Sequence, residues 1–304
     1  MKVVYLSLKE KLLSIYDKQY KALMVFSFLL LFACIIYLGV SYARTGELFE
    51  KGVSLKGGIT MTVPVDRAVD IHQLGSSLDL RFPEADITVR EITEAGRSIA
   101  LIVEASDVTA EELESALPEL GVPLESGKYS VESMGSALGQ RFFGQTVKAL
   151  VYAFIFMAIV VFLTFRSFLP SSFVILAAVS DIISTVAVLN FLDVKLSVAG
   201  IAALLMLIGY SVDTDILLTT KVLKRKGEGG TIFNRTVGAL KTGLTMTGTA
   251  LVASIIGLIF TQSDIIKQIM LIVTIGLVFD MIYTWFQNAG ILRLYLEKKQ
   301  HGQN

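Results

Sequence analysis

Histidine and cysteine are nearly absent from this chain. Its 304 residues include two histidines, His72 and His301, and a single cysteine, Cys34. One cysteine cannot close an internal disulfide or build a cysteine-based zinc site. Two histidines so far apart in sequence do not suggest a metal cluster. Net charge is missing as well: 27 acidic and 27 basic residues balance, which removes the basic excess expected of a nucleic-acid binder. The sequence contains neither a Walker-type phosphate loop nor a Gly-x-Ser-x-Gly nucleophile elbow, so an ATPase or a serine hydrolase is disfavoured. It therefore offers no catalytic residue, no cofactor motif, no metal site and no nucleic-acid partner.

What the chain has in abundance is apolar side chains. They make up 53% of it, and the mean hydropathy is +0.65, beyond the range of an ordinary soluble domain. Crossing a bilayer as a helix takes about 20 mostly apolar residues. Six runs qualify: 22–43, without a charge; 149–165, bounded by Lys148 and Arg166; 167–192, interrupted by Asp181; 196–220, interrupted by Asp213 and Asp215; 242–262; and 268–292, interrupted by Asp280. The first is longer than a usual signal-peptide core and no small-x-small cleavage site follows it, so it reads as a retained helix. The expected organisation is a tail (1–21), a first transmembrane helix (22–43), a polar insert (44–148), helices two to six (149–292) with a basic loop at 221–241, and a second tail (293–304).

Lysine and arginine favour the cytoplasmic side of short connections. Lys2, Lys9, Lys11, Lys18 and Lys21 lie in the first tail. Lys221, Lys224, Arg225, Lys226 and Arg235 lie between the fourth and fifth runs, and Arg293, Lys298 and Lys299 in the last tail. The opposite connections carry only Lys195 and Lys267. Both tails and the basic loop are thus expected in the cytoplasm of a cell-membrane protein, and the insert outside.

The insert is the size of one small domain. Residues 58–64 read as a strand, 66–80 as a helix with Ala68, Ile71, Leu74 and Leu78 on one face, 86–92 as a strand, and 97–104 as another after an Ala95-Gly96 turn. Residues 109–117 read as a helix opened by a Thr109–Glu112 capping box, and 128–133 as a last strand. The order βαββαβ is that of the ferredoxin-like split motif, a fold that serves many functions and by itself argues for none.

Charges inside spans are functional candidates by default. Asp181, Asp213, Asp215, Lys241 and Asp280 qualify as proton-coupling groups. Asp213 and Asp215, two apart, face different ways on a helix. Depth arithmetic from the fourth-to-fifth connection puts Asp213, or its competitor Asp215, level with Lys241, close enough to pair. Thr245 and Thr249 continue a polar stripe from Lys241. Tyr283, Gln287 and Asn288 are candidate partners for Asp280. The competing reading is that these charges pair only to fix helix register or snorkel to the rim.

Several motifs resemble the SecF members of the SecD/SecF protein-export family. Gly52, Gly57 and Gly58, in Gly-Val-Ser-Leu-Lys-Gly-Gly, resemble that family's Gly-x-Asp-Phe-x-Gly-Gly signature, with Ser54 in place of the aspartate. Met134 and the following Gly-Ser-Ala-Leu-Gly139 resemble its approach to the second helix, and Arg166-Ser-Phe168 the turn after it. Gly209-Tyr-Ser-Val-Asp-Thr-Asp215 resembles Gly-Tyr-Ser-x-Asn-Asp-Thr. Read without a shift, the family's acidic residue falls on Thr214, and either flanking aspartate could inherit its role. The family's fifth-helix arginine falls on Lys241, which keeps the charge without the fork of donors. These departures suggest an archaeal branch. The resemblance implies six transmembrane helices that form half of a resistance–nodulation–division type assembly, with SecD supplying the other half. It also implies the Sec channel, exported polypeptides and membrane lipid as partners, and work driven by the proton gradient. The alternative is a half-transporter of the same superfamily exporting small molecules or lipids, for which an insert of about 105 residues (44–148) is small.

Overall fold

The computed structural model describes residues 2–301 apart from 67–68, 95–96, 126, 225–230 and 262. The chain opens with helix α1 (Lys2–Thr45), which stops where Gly46 turns left-handed at φ +73°, a common helix ending. One helical turn, α2 (Val53–Lys56), follows. Gly57 (φ +91°) and Gly58 (φ +141°) then lead into strand β1 (Gly58–Pro64). The α+β domain continues through α3 (Ile71–Arg81), β2 (Ile87–Glu94), β3 (Arg97–Ala105), α4 (Ala110–Glu119) and β4 (Ser130–Met134).

The sheet is antiparallel in the order β2-β3-β1-β4. The alternation of β1 carries Ile59, Met61 and Val63 to one face. There they meet Leu101 and Val103 of β3, Leu74 and Leu78 of α3, and Leu113 and Leu117 of α4. The capping box expected from Thr109 and Glu112 is formed, with the Glu112 side chain accepting from the Thr109 amide at 2.8 Å. Helix α3 starts later than the periodicity predicts, because Asp70 accepts from the amides of His72 and Gln73, both at 3.0 Å, and so caps it there. Ala68 and the Ala95-Gly96 turn lie outside the described residues.

The remaining helices are α5 (Ser136–Phe165), α6 (Phe168–Phe191), α7 (Val198–Lys224), α8 (Ile232–Phe260) and α9 (Asp264–Ile282). After α9 come a π-helical turn (Tyr283–Asn288) and α10 (Ala289–His301). Arg166, at φ +49°, turns the chain tightly from α5 into α6. Six stretches are long and apolar enough to cross a membrane: Leu13–Thr45, Leu138–Phe165, Phe168–Phe191, Val198–Leu223, Ile232–Phe260 and Ile265–Gln300. The helices outlast the uncharged runs that reveal them: α5 starts at Ser136 and passes through Arg141 and Lys148 before its apolar stretch begins. Backbone hydrogen bonding continues a helix after hydrophobicity ends. The basic connection shortens accordingly to what lies between Lys224 and Ile232, and its tip, 225–230, is outside the described residues.

The centre of the bundle is α6 and α7. Just over half of their apolar windows is buried (56% each), against 11% for the α5 span and 17% for α8. Val174, Ala178, Leu204, Leu207, Ile272 and Leu277 form the main apolar core around them. Gly276 of α9 lets Leu207 of α7 approach so closely that an added Cβ would lie 2.2 Å from it, the small-residue contact by which membrane helices pack.

Candidate functional site

Three carboxylates are buried together where α6, α7, α8 and α9 meet. Asp181 of α6, Asp215 of α7 and Asp280 of α9 have no solvent exposure. Ser211, Thr214 and Asp215 share one face of α7 because they are three and four residues apart. Ser211 Oγ donates to Asp181 Oδ2. Asp280 sits in a cradle of hydroxyls: Thr284 Oγ1 at 3.1 Å from Oδ1, Thr214 Oγ1 at 3.2 Å and Thr247 Oγ1 at 3.3 Å from Oδ2. The Thr214 hydroxyl is also 2.9 Å from the Tyr210 carbonyl, so its one proton serves either neighbour but not both. Asp215 Oδ1 accepts from Asn288 Nδ2 at 2.7 Å.

The π-helical turn Tyr283–Asn288 lies between Asp280 and α10. Its wider winding resets the phase of the helix, so Thr284 serves Asp280 while Asn288 reaches Asp215. A second buried contact, Ser184 Oγ to Tyr283 Oη at 2.6 Å, lies beside it. Asp181 Oδ1, Asp215 Oδ2 and Asn288 Oδ1 are buried without a hydrogen-bond partner. Among the described residues, no lysine or arginine forms an ion pair with any of the three carboxylates. The arrangement is a string of acid and hydroxyl groups across four helices.

The five charges singled out from the sequence separate into two groups. Asp181, Asp215 and Asp280 come together. Asp213 and Lys241 stand exposed on α7 and α8 and form no ion pair with each other. The inward turn of Ser211, Thr214 and Asp215 sends Asp213 outward. Thr245 and Thr249 are exposed too, their hydroxyls donating to the carbonyls of Lys241 at 2.9 Å and Met246 at 2.8 Å. The threonine that enters the cluster is Thr247, between them. Tyr283 and Asn288 do not reach Asp280 but Ser184 and Asp215 respectively, and Gln287 is buried with both amide atoms unpartnered.

Two of the motif glycines, Gly58 and Gly139, serve close approach. A Cβ on Gly58 would be 2.3 Å from the Ala105 carbonyl oxygen, and one on Gly52 would be 3.4 Å from that of Leu196. A Cβ on Gly139, at the start of α5, would be 2.6 Å from the Gly57 nitrogen. Gly209 has open space around it. Sequence reasoning missed Ser211, Thr214, Thr247 and Thr284 as hydroxyl donors. Thr214 carried a signal, since it occupies the position where the resemblance places an acid, and Ser211 and Thr247 lie in the stretches that resemble the family's fourth-helix Gly-Tyr-Ser motif and fifth-helix Arg-Thr-x-x-Thr run.

The family model described as "Protein export membrane protein SecD/SecF, C-terminal" matches residues 115–298. A "Protein-export membrane protein SecF" of Methanolacinia petrolearia is 36% identical, over 88% of this chain and 91% of that one. One of Pyrococcus furiosus is 37% identical, over 96% and 97%. The crystal structure of SecDF, a translocon-associated membrane protein from Thermus thermophilus, superposes with a TM-score of 0.73 at 18% identity. That superposition covers 93% of this chain but 38% of the SecDF chain, so this chain matches the fold of well under half of it.

Proposed function

The chain belongs to the SecD/SecF family of protein-export membrane proteins, and from that premise we propose that it couples proton movement to protein export through the buried Asp181–Asp280–Asp215 cluster. The observation that carries this reading is the set of three carboxylates buried with hydroxyls and an amide and, among the described residues, no paired cation. A charge at the bilayer centre costs at least about 2.5–3.5 kcal/mol, and a proton is the smallest partner that removes it. Rotating hydroxyls of Ser211, Thr214, Thr247 and Thr284 offer donors and acceptors between the acids. One charge crossing the membrane releases about 2.3 kcal/mol per 100 mV, enough to bias a helix rearrangement. The carboxyl that the family carries at the position of Thr214 is here supplied in space by Asp280, whose oxygen lies 3.2 Å from the Thr214 hydroxyl.

SecD is the proposed partner for the rest of the assembly, and the Sec channel and exported chains are its clients. Asp213, Lys241, Thr245 and Thr249 point away from this chain's own bundle. Polar groups on a membrane helix call for a protein neighbour rather than lipid. The lysine and arginine bias supports cytoplasmic tails and an external α+β domain. The strand order β2-β3-β1-β4 with two helices supports reading that domain as ferredoxin-like.

The test is export of a secreted reporter in cells whose chromosomal copy carries Asp280→Asn, Asp181→Asn, Asp215→Asn, Asp213→Asn or Lys241→Met, with membrane abundance and SecD co-purification measured in each. Export is expected to drop toward that of cells lacking the protein for Asp280→Asn, with abundance and assembly retained. Asp181→Asn and Asp215→Asn should give intermediate losses. Normal export in all three core variants would end the reading and leave the cluster a packing role.

A further inference from the structure

The α+β domain touches the bundle at a place that neither chain crossing explains. The turn joining α6 to α7, residues 192–197, grips the segment that runs from α1 into the domain. The Gly52 amide donates to the Leu196 carbonyl and the Leu196 amide to the Glu50 carbonyl, both at 2.8 Å. Lys51 and Leu196 form an isolated parallel bridge. Asn190 Nδ2, at the end of α6, donates to the Leu48 carbonyl at 3.2 Å.

From this turn Lys195 reaches into the domain. Its Nζ lies 2.6 Å from Asp86 Oδ1 and 2.6 Å from Thr88 Oγ1, at the start of β2. The other oxygen of Asp86 takes Lys56 Nζ at 3.1 Å. On the bundle side, Gln268 of α9 holds the same turn twice: its Nε2 donates to the Lys195 carbonyl at 2.6 Å, and its Oε1 accepts from Ser197 Oγ. Gly139 closes the third side, with the start of α5 pressed on the backbone of residues 55–57 and no room for even a methyl group.

The three helices that meet at this turn are the ones that carry the buried acids: α6 holds Asp181, α7 holds Asp215, and α9 holds Asp280. A displacement of these helices at the cluster therefore arrives at residues 192–197, and the contacts above pass it to β2 and to the 50–52 segment. We infer that Lys195 and Asp86 are positioning residues that tie the α6–α7 turn to the α+β domain, so that the two move as one body when the core rearranges. The inference rests on the proton-coupling reading for its driving force, but the contact itself stands on its own geometry.

The experiment uses the full chain with its SecD partner in cells. Asp86→Lys and Lys195→Glu are made singly and together, and Asp86→Cys with Lys195→Cys is made on a Cys34→Ala background and treated with a short bis-maleimide. Each single charge reversal should lower reporter export several-fold, with membrane abundance and SecD co-purification unchanged. The double reversal should recover part of the loss, because the attraction between positions 86 and 195 returns with its sign exchanged, while Lys56 loses its carboxylate partner and faces the introduced lysine. Cross-linking the double-cysteine protein should raise its export back toward that of the parent. Wild-type export in both single variants overturns the inference, as do single losses that neither the double reversal nor the cross-link restores. A cross-link that lowers export overturns it as well, since that would mean the turn must release the domain. Asp280→Asn measured alongside separates the two ideas. If it and the other two core variants, Asp181→Asn and Asp215→Asn, are silent while the Asp86 and Lys195 variants behave as expected, the proton-coupling reading fails and the domain contact stands; the converse pattern removes the domain contact and keeps the cluster.

Discussion

At the scale of single residues, Asp86 gives the contact between domain and bundle a pH dependence whose sign can be worked out. Burial alone would raise its carboxyl, but the hydrogen bonds and charges of Lys195 and Lys56 outweigh that and hold it below the usual carboxylate range. A carboxyl whose folded value lies below its unfolded one contributes stability that is complete above the unfolded value and is lost as pH falls through the folded one. The Gly52 amide, which bonds to Leu196, should thus be equally protected from hydrogen exchange at neutral and mildly acid pH and lose protection only below about pH 4. Asp86→Asn should flatten that profile; an unchanged profile in the variant would mean the carboxylate does not hold the contact. Gly58 is the other residue with a single physical reason. At φ +141°, with the Ala105 carbonyl 2.3 Å from any added Cβ, Gly58→Ala should destabilise the α+β domain by roughly 1–3 kcal/mol, the cost of forcing a side chain into such backbone. A thermal melt of the purified chain checks it. The glycine motif was visible in the sequence, but its cause was not, because the clash comes from a strand that pairs 47 positions later, at Ala105.

At the scale of elements, the sequence separates faces well and assigns them poorly. Spacing alone puts Lys241, Thr245 and Thr249 on one side of α8 and Asp213 opposite Asp215 on α7, and the structure keeps both groupings. It does not reveal which side turns inward. Both sides of α8 mix threonine, glycine and aliphatic residues, so no polarity contrast marks the core face, as it would for a helix in water. What decides is fit. A Cβ on Gly243 would lie 2.2 Å from the Trp285 ring, so α8 can meet the π-helical turn only through that glycine, and Thr247, one turn on, follows it inward to Asp280. Thr247→Val is therefore expected to weaken export by removing a donor 3.3 Å from the Asp280 carboxylate. Thr249→Val removes only a hydroxyl bonded to its own helix and should leave the cluster's contribution unchanged. Equal losses in the two, at equal abundance and assembly, would argue against the cluster.

At the scale of the whole molecule, the six apolar stretches and the succession of strands and helices along the insert were legible because hydropathy and period-two alternation are local signals. The depth of each helix in the bundle was not, since membrane helices are apolar on every side and association rests on packing. That depth carries the last prediction. Helices α1, α5 and α8 are all largely exposed, yet their outer faces differ in chemistry. Between residues 22 and 43 the exposed part of α1 carries no charge, with Val25, Leu29 and Phe32 outward, and suits lipid. The exposed part of α7 and α8 carries Asp213, Lys241, Thr245 and Thr249, whose charges lipid would penalise. A photo-crosslinking phenylalanine analogue at position 249 should therefore capture SecD in membranes containing both proteins, and the same analogue at position 32 should capture lipid alone. Capture of SecD from position 32 and not from 249 would move the partner to the α1 side and leave Asp213 and Lys241 facing the bilayer, where their charge would need a different account.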